Sequence, residues 1–574
     1  VTVDVLLTGG VVHTLDPAVP AADSLAIRDG RVAWAGLLAD APHAVRDAAQ
    51  VVDLAGRTVV PGFIDAHNHV RLGSDAACAQ LAGASTMAEV GERLARWQAE
   101  HPEAAWVEAE GYAYAGLADG AHPTAAQLDA LVPDRPAVVF SYDVHTLWLN
   151  TPALQALGVA RVSTPLAQPD RADLPFGTAE LDADGRPTGF VADFAVKGLA
   201  RAGMRALADL GLPWAHPERQ YDRLLSSLDH AVACGITTVV EPQNSPDDVP
   251  LFLRARAEGR LRSRVVLAMF HPRGTTEADR AEFAGLARTH ADDRLRVGPL
   301  KLYIDDVVEP HTAALHAPYA NEPGHRGDTY YPPEEFAELV TRLDADGFQL
   351  FVHATGDRGI TTVLDAVQRA REVNGPRDVR HQVVHVECVR PADLPRFAEL
   401  GVVACMQPRH ASPEIAGPGH AWAEAIGPDR WHQAWPLRSL AEHGAVLALS
   451  SDWNVAEMEP MIGLQCAVTR APLSGGAPWL PEEALDVETA LRGYTLGSAY
   501  AVHSEHDRGS LAPGKLADLA VLSDDPLSCP AGALAKIDVL ETWVGGEPVH
   551  RAPQVGPAQP LLVSSPTCTS TFPR

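Results

Sequence analysis

Short apolar runs broken by Gly and Asp open the chain: Val3–Leu7, Ser24–Ile27, Arg31–Ala35 and Gln50–Leu54. Their length and punctuation predict strands of an antiparallel sheet. Gly509–Leu522 and Val539–Val549, near the other end, read the same way. The long stretch between them is patterned differently. Apolar runs of strand length alternate there with helical spacings, as in Pro333–Asp346, Arg358–Val373 and Pro391–Leu400. Eight runs fit buried parallel strands: Thr58–Ala66, Gly235–Glu241, Ser263–Phe270, Val297–Ile304, Gln349–Ala354, His381–Val386, Val402–Gln407 and Val446–Asp452. Eight β/α units predict an α/β fold, a (β/α)₈ TIM barrel.

The spacing between runs sets the domain plan. Residues 73–225, between the first and second barrel strands, are too many for a βα loop. They predict an inserted subdomain covering the active site, with the apolar run Pro136–Tyr142 leading into Asp143–Asn150. Segment 408–436, after the seventh strand, is rich in Gly, Pro, His and Trp and reads as a lid. The barrel then takes residues 57–72 and 226–503, and the two chain ends, 1–56 and 504–560, are left to a second domain. A Pro/Ser/Thr-rich tail, 561–574, is expected to pack loosely.

Composition narrows the partners. The 574 residues carry a formal net charge of −28, which argues against nucleic acid or an anionic membrane surface. No run approaches the length of a membrane span. The seven cysteines are scattered without a Cys-x-x-Cys pair, the usage of a reduced, cytoplasmic protein. A homodimer is the default assembly. Only four lysines are present, Lys197, Lys301, Lys515 and Lys536, so a lysine inside an apolar strand needs a specific reason.

Barrel enzymes place their chemistry at the C-terminal strand ends. Strand one ends in His67-Asn68-His69, two imidazoles on one side of the backbone. Strand four carries Lys301, strand five ends at His353, strand six at His385 and strand eight at Asp452. Singly, each has a bland explanation: a hydrogen-bonded core histidine, an ion pair of Lys301 with Asp305 or Asp306, a helix cap at Asp452. Jointly they describe a metal centre. Trp431, Trp435 and Trp453, on loops after strands seven and eight, are candidates for the walls of a substrate pocket or for ordinary packing. Asp357, four residues beyond His353, is a candidate for orienting a ligand.

Pro61-Gly-Phe-Ile-Asp-Ala-His-Asn-His69, His353-Ala-Thr-Gly-Asp-Arg358, Val384-His385, Ser451-Asp-Trp-Asn454 and Gly509-Ser-Leu-Ala-Pro-Gly-Lys-Leu-Ala-Asp-Leu519 together resemble the amidohydrolase superfamily. The chain is most similar to the YtcJ-like, family 3 branch, through Leu300-Lys-Leu-Tyr-Ile-Asp-Asp306 and His145-Thr-Leu-Trp-Leu-Asn150. The resemblance spans nearly the whole chain. It implies a barrel whose two chain ends form a small β-sandwich. It implies one metal on His67, His69 and Asp452, a second on His353 and His385, and a CO₂-derived carbamate on Lys301 bridging them. Zinc suits this nitrogen and oxygen donor set, one or two ions per chain. The chain departs from the branch at Asp305-Asp306, where Asp-Gly is usual, and at Glu309-Pro-His311, where small residues are usual.

The expected chemistry is hydrolysis of a C–N bond in a small amide-like substrate, N-formyl or N-acyl, by metal-activated water. Asp452 is the expected general base and acid, and His145 the expected contact to substrate or oxyanion. The alternatives are a mononuclear deaminase, a lyase or esterase on the same barrel and, remotely, a non-catalytic scaffold.

Overall fold

A computed structural model describes residues 3–73, 75, 77–113, 122–159 and 171–553. The expected tail and Cys568 lie outside the described residues. One eight-stranded sheet runs Phe63–Asp65, Ile236–Asn244, Arg264–Phe270, Leu295–Tyr303, Leu350–Ala354, Gln382–His385, Val403–Met406 and Leu447–Leu449. Every adjacent pair is parallel. The last strand meets the first through Ala66, whose N–H reaches the Leu449 carbonyl at 3.4 Å, so the barrel nearly closes.

Side chains alternate across this sheet. Val240, Val266, Ala268, Phe351, Val384, Val403, Cys405 and Ala448 fill the centre. Val239, Leu267, Leu300, Leu302, Val383 and Ala404 pack outward beneath the helices. Both faces are buried and apolar, so these strands read as continuous apolar runs rather than alternating ones. Since Leu300 and Leu302 point outward, Lys301 between them points into the barrel.

The expected first strand is two strands. It breaks at Gly62, where a Cβ would lie 2.3 Å from Thr237 Cγ2. Thr58–Pro61 leaves the barrel and pairs antiparallel with Leu519–Leu522 and parallel with Val11–Val12. With Val539–Val544 and Glu547–Arg551 these form a five-stranded sheet. Gly509–Leu522 contributes only Leu519–Leu522 as strand.

A second, four-stranded sheet holds Arg31–Gly36, Ser24–Arg28, Val5–Thr8 and Gln50–Asp53. It is mixed, not antiparallel as expected: Val5–Thr8 and Gln50–Asp53 run parallel. The helical turns Leu38–Asp40 and His43–Arg46 carry the chain across to the far edge, a crossover that a hairpin reading misses. Leu7, Leu25 and Ile27 of this sheet share a core with Val59, Leu519 and Trp543 of the five-stranded one.

Residues between the first two barrel strands build a seven-stranded sheet that includes Val107–Tyr112, Ala137–Ser141 and Leu147–Leu149, with two cores of its own. Helix Pro217–Ala233 returns the chain to the barrel. Among the described residues no helix is long and apolar enough to cross a membrane. Cys78, Cys234, Cys388, Cys405, Cys466 and Cys529 are free thiols.

Candidate metal centre and its cavity

The strand ends bring His67, His69, His385 and Asp452 together. Asp452 Oδ1 lies 3.4 Å from His67 Nε2 and 3.3 Å from His69 Nε2, and Oδ2 lies 3.7 Å from His385 Nδ1. The His67 ring is 5.2 Å from His385, which is 4.5 Å from His353, centroid to centroid. His385 and Asp452 hold left-handed backbone, φ 79° and 59°, so each turns off its strand to aim inward. Non-glycine residues adopt that conformation at a cost and cluster at functional sites.

The donor atoms lack protein partners. Both His67 ring nitrogens, His69 Nδ1, Asp452 Oδ1 and Lys301 Nζ are buried without a hydrogen bond. Unpaired polar atoms in a protein interior are costly, and His67, His385 and Asp452 each offer a donor atom within 4.8 Å of the others, close enough to hold a metal ion. His353 Nε2 meets the Asp306 carbonyl at 2.9 Å, which leaves Nδ1 as its lone-pair atom. His385 Nδ1 meets Gln407 Oε1 at 3.0 Å, which leaves Nε2. These bonds fix the tautomers as they do behind metal-bound imidazoles.

Charge states agree. Burial first, and then the Lys301 ammonium, hold His67 well below its ordinary value. The same causes bring His353 down to about 3. Burial and the neighbouring imidazoles hold His385 low as well. All three are neutral near pH 7. Burial opposes ionisation of Asp452, but the His69 contact keeps it below the usual carboxylate value. Burial lowers Lys301 to about 8, against a pull upward from Asp452. A lysine that surrenders its proton this readily can be carboxylated, as arginine cannot.

Strand one is held to strand eight beside this cluster. Asp65 accepts the Ser451 hydroxyl at 2.6 Å and its N–H at 3.0 Å. The Asp452 N–H donates to the His67 carbonyl at 2.9 Å, and the His69 N–H to Trp453 O at 2.6 Å. Burial raises Asp65 to about 6 in spite of those bonds.

A cavity of about 180 Å³ opens onto the cluster, lined by His145, His353, His385, His410, Trp435 and Asp452 among others. His145 reaches it from the insert on the turn Ser141–Thr146, where the Asp143 carboxylate accepts the His145 N–H. Its Nδ1 pairs with Asp306 Oδ1 at 2.5 Å. Burial works against a charged His145, but Asp306 outweighs it and raises the imidazole to about 9. The Asp305-Asp306 departure divides the labour between its two carboxylates. Asp306 faces His145, while Asp305 accepts the N–H groups of Ala314, Thr355 and Gly356 and fixes the loop after strand five.

Several expected residues lie elsewhere. Asp357 starts helix Asp357–Asn374 and accepts the His316 N–H at 2.8 Å, which ties the start of that helix to the loop after strand four. Of the three tryptophans, Trp435 lines the cavity. Trp453 lines a neighbouring one of about 220 Å³ under the insert. Trp431 packs on Trp479 and donates to the Ala423 carbonyl, outside both. The expected lid supplies His410, Ile415 and Trp435 to the cavity wall.

Sequence reasoning missed His410, whose Nε2 lies 3.9 Å from Asp452 Oδ2, and Glu241, 3.9 Å from His69 Nδ1. Both follow or end barrel strands, seven and two, so extending the strand-end rule to every strand finds them. The same rule finds Glu387, two residues past strand six, and Glu309 belongs to the loop where the sequence departs from the branch; both line the wall.

Comparison with known proteins agrees with this geometry. The sequence profile of the amidohydrolase family, family 3, matches residues 50–550. Protein LONG AFTER FAR-RED 3 of Arabidopsis thaliana is 28% identical, over 96% of this chain and 92% of its own. N-substituted formamide deformylase of Arthrobacter pascens is also 28% identical, over 95% and 97%. The crystal structure of an uncharacterized metal-dependent hydrolase from Pyrococcus horikoshii has the same fold, with TM-score 0.71, 24% identity and coverage of 92% of this chain and 99% of that one.

Proposed function

Because the chain belongs to the amidohydrolase family, we propose that it is a metal-dependent hydrolase cleaving the C–N bond of a small N-formyl or N-acyl amide. The observation that carries this reading is the convergence of the buried His67, His69 and His385 imidazoles on Asp452, with both His67 ring nitrogens and Asp452 Oδ1 lacking a hydrogen bond. His67, His69 and Asp452 would hold one divalent ion, His353 and His385 a second, and a carboxylated Lys301 would bridge them. Zinc is the metal of choice for this donor set. When bound, such an ion lowers the pKa of a coordinated water and polarises a carbonyl oxygen.

The chain's own residues do the rest. Asp452, ionised and at the cavity floor, takes the proton of the attacking water and returns it to the departing amine nitrogen. His145, kept charged by Asp306, donates through its free ring nitrogen to the carbonyl oxygen as negative charge builds there. Trp435 and Ile415 exclude water from the acyl or amine substituent.

The test is a panel of N-formyl and N-acyl amides offered to zinc-loaded enzyme prepared with bicarbonate, with product amine and acid both measured. Release of both from at least one amide, lost in Asp452→Asn, is expected. Release of ammonia from aminated rings with no amide turned over would replace the reading with deamination.

A further inference from the structure

Outside the catalytic cavity, His230, Cys234 and Glu459 offer one donor atom each within 4.8 Å of one another. Cys234 Sγ is 3.8 Å from His230 Nδ1 and Nε2, and His230 Nε2 is 3.7 Å from Glu459 Oε1. Bonds of about 2.0–2.3 Å place the ligand atoms of a tetrahedral zinc roughly 3.3–3.8 Å apart. The two measured edges already match that figure. We propose that His230, Cys234 and Glu459 form a second, separate site for a thiophilic divalent cation, zinc above all, with water in the fourth position.

The residues are placed for it by local structure. His230 and Cys234 are one turn apart at the end of helix Pro217–Ala233, so both side chains leave the same face. Glu459 precedes helix Pro460–Thr469. Cys234 is buried, whereas the His230 and Glu459 side chains are 35% and 43% exposed, so an ion can enter from solvent and the imidazole can turn toward it. Thiolate, neutral imidazole and carboxylate suit zinc, and hard cations such as magnesium bind such a set poorly. Burial and the charges of Glu459 and Asp65 hold the thiol protonated in the free protein. Binding therefore expels one proton from Cys234 to solvent as the sulfur–metal bond forms.

The position gives the site a consequence. Helix Pro217–Ala233 enters barrel strand two, and helix Pro460–Thr469 follows strand eight, so an ion here ties together the two flanks of strand one. That is the seam where the barrel ladder is incomplete. The His230 ring lies 5.2 Å from Trp453, whose carbonyl holds the His69 N–H. The site thus braces the segment that follows Asp452.

Counting zinc per chain in wild type, Cys234→Ser and His230→Gln, after dialysis without chelator, tests this. Each variant should hold one zinc fewer than wild type. His230 is half-exposed, so its variant folds even if the buried cysteine variant does not. Wild type loaded with Co²⁺ should show a thiolate-to-cobalt charge-transfer band that Cys234→Ser lacks. Equal zinc content in wild type and His230→Gln would overturn the proposal. So would cobalt protein without a thiolate band, or a band that survives Cys234→Ser and so belongs to another cysteine. None of these outcomes bears on amide hydrolysis, so the two readings fail separately.

Discussion

His145 and Asp306 form an ion pair, Nδ1 to Oδ1 at 2.5 Å, that joins the inserted subdomain to the loop after barrel strand four. Neither segment alone completes the cavity. The pair sets the charge of a histidine that enters the cavity from the insert.

Its pH dependence has a definite sign. Asp306 raises His145 to about 9 against the opposing effect of burial. A raised imidazole stabilises the fold fully below its unfolded value of about 6.5. That contribution is lost as pH rises through about 9. Activity that needs charged His145 falls over the same upper window. Asp306→Asn should move the alkaline limb of the kcat/KM profile to lower pH, and urea unfolding should show its destabilisation shrinking by pH 10. An unmoved limb would remove His145 from the proton inventory.

His145→Asn should lower kcat by roughly 10²-fold with a smaller change in KM, the pattern of a donor acting on developing charge. Steady-state kinetics on the best amide of the panel measures it. A change in KM alone would make His145 a binding contact only.

Lys301 yields a prediction with opposite signs in two states. Its ammonium is fully buried, without a hydrogen bond. Lys301→Met removes a buried charge that Asp452 offsets only in part, so the metal-free protein should be unchanged or more stable, by up to about 3 kcal/mol. The same variant should lose metal, because the bridging oxygen donor is gone. Thermal unfolding with chelator and elemental analysis without it read the two effects. Strong destabilisation of the metal-free variant would mean that Lys301 is structural.

Asp452→Asn should retain the fold and lose roughly 10³-fold or more in kcat. Metal occupancy should fall with it, since an amide oxygen is a poorer ligand than a carboxylate. Loss of metal with full activity would sink the assignment of both roles.

Gly62→Val should destabilise the protein by about 1–3 kcal/mol through overpacking. The added Cβ would meet the Thr237 side chain at 2.3 Å, just where the chain leaves one sheet for the other. Thermal unfolding measures it, and an unchanged midpoint would show that Thr237 can yield.

The sequence by itself determined the barrel. Its eight buried parallel strands announce themselves as apolar runs because helices cover one face and the closed interior the other. It also determined the strand-end positions of His67, His69, Lys301, His353, His385 and Asp452, because side-chain direction along a strand is local. The tertiary structure decided everything that depends on two distant segments meeting. The parallel pairing of Val5–Thr8 with Gln50–Asp53 is one such case, the exit of Thr58–Pro61 into a different sheet another. The cavity wall is a third: His410 and Trp435 arrive from beyond strand seven, and His145 from the insert. The tautomers of His353 and His385 follow from the Asp306 carbonyl and Gln407. Asp357 meets its partner, the His316 N–H, across 41 residues of chain. Propensity and periodicity act over a few residues, whereas partners, charge states and cavities are set by neighbours that only the folded chain supplies.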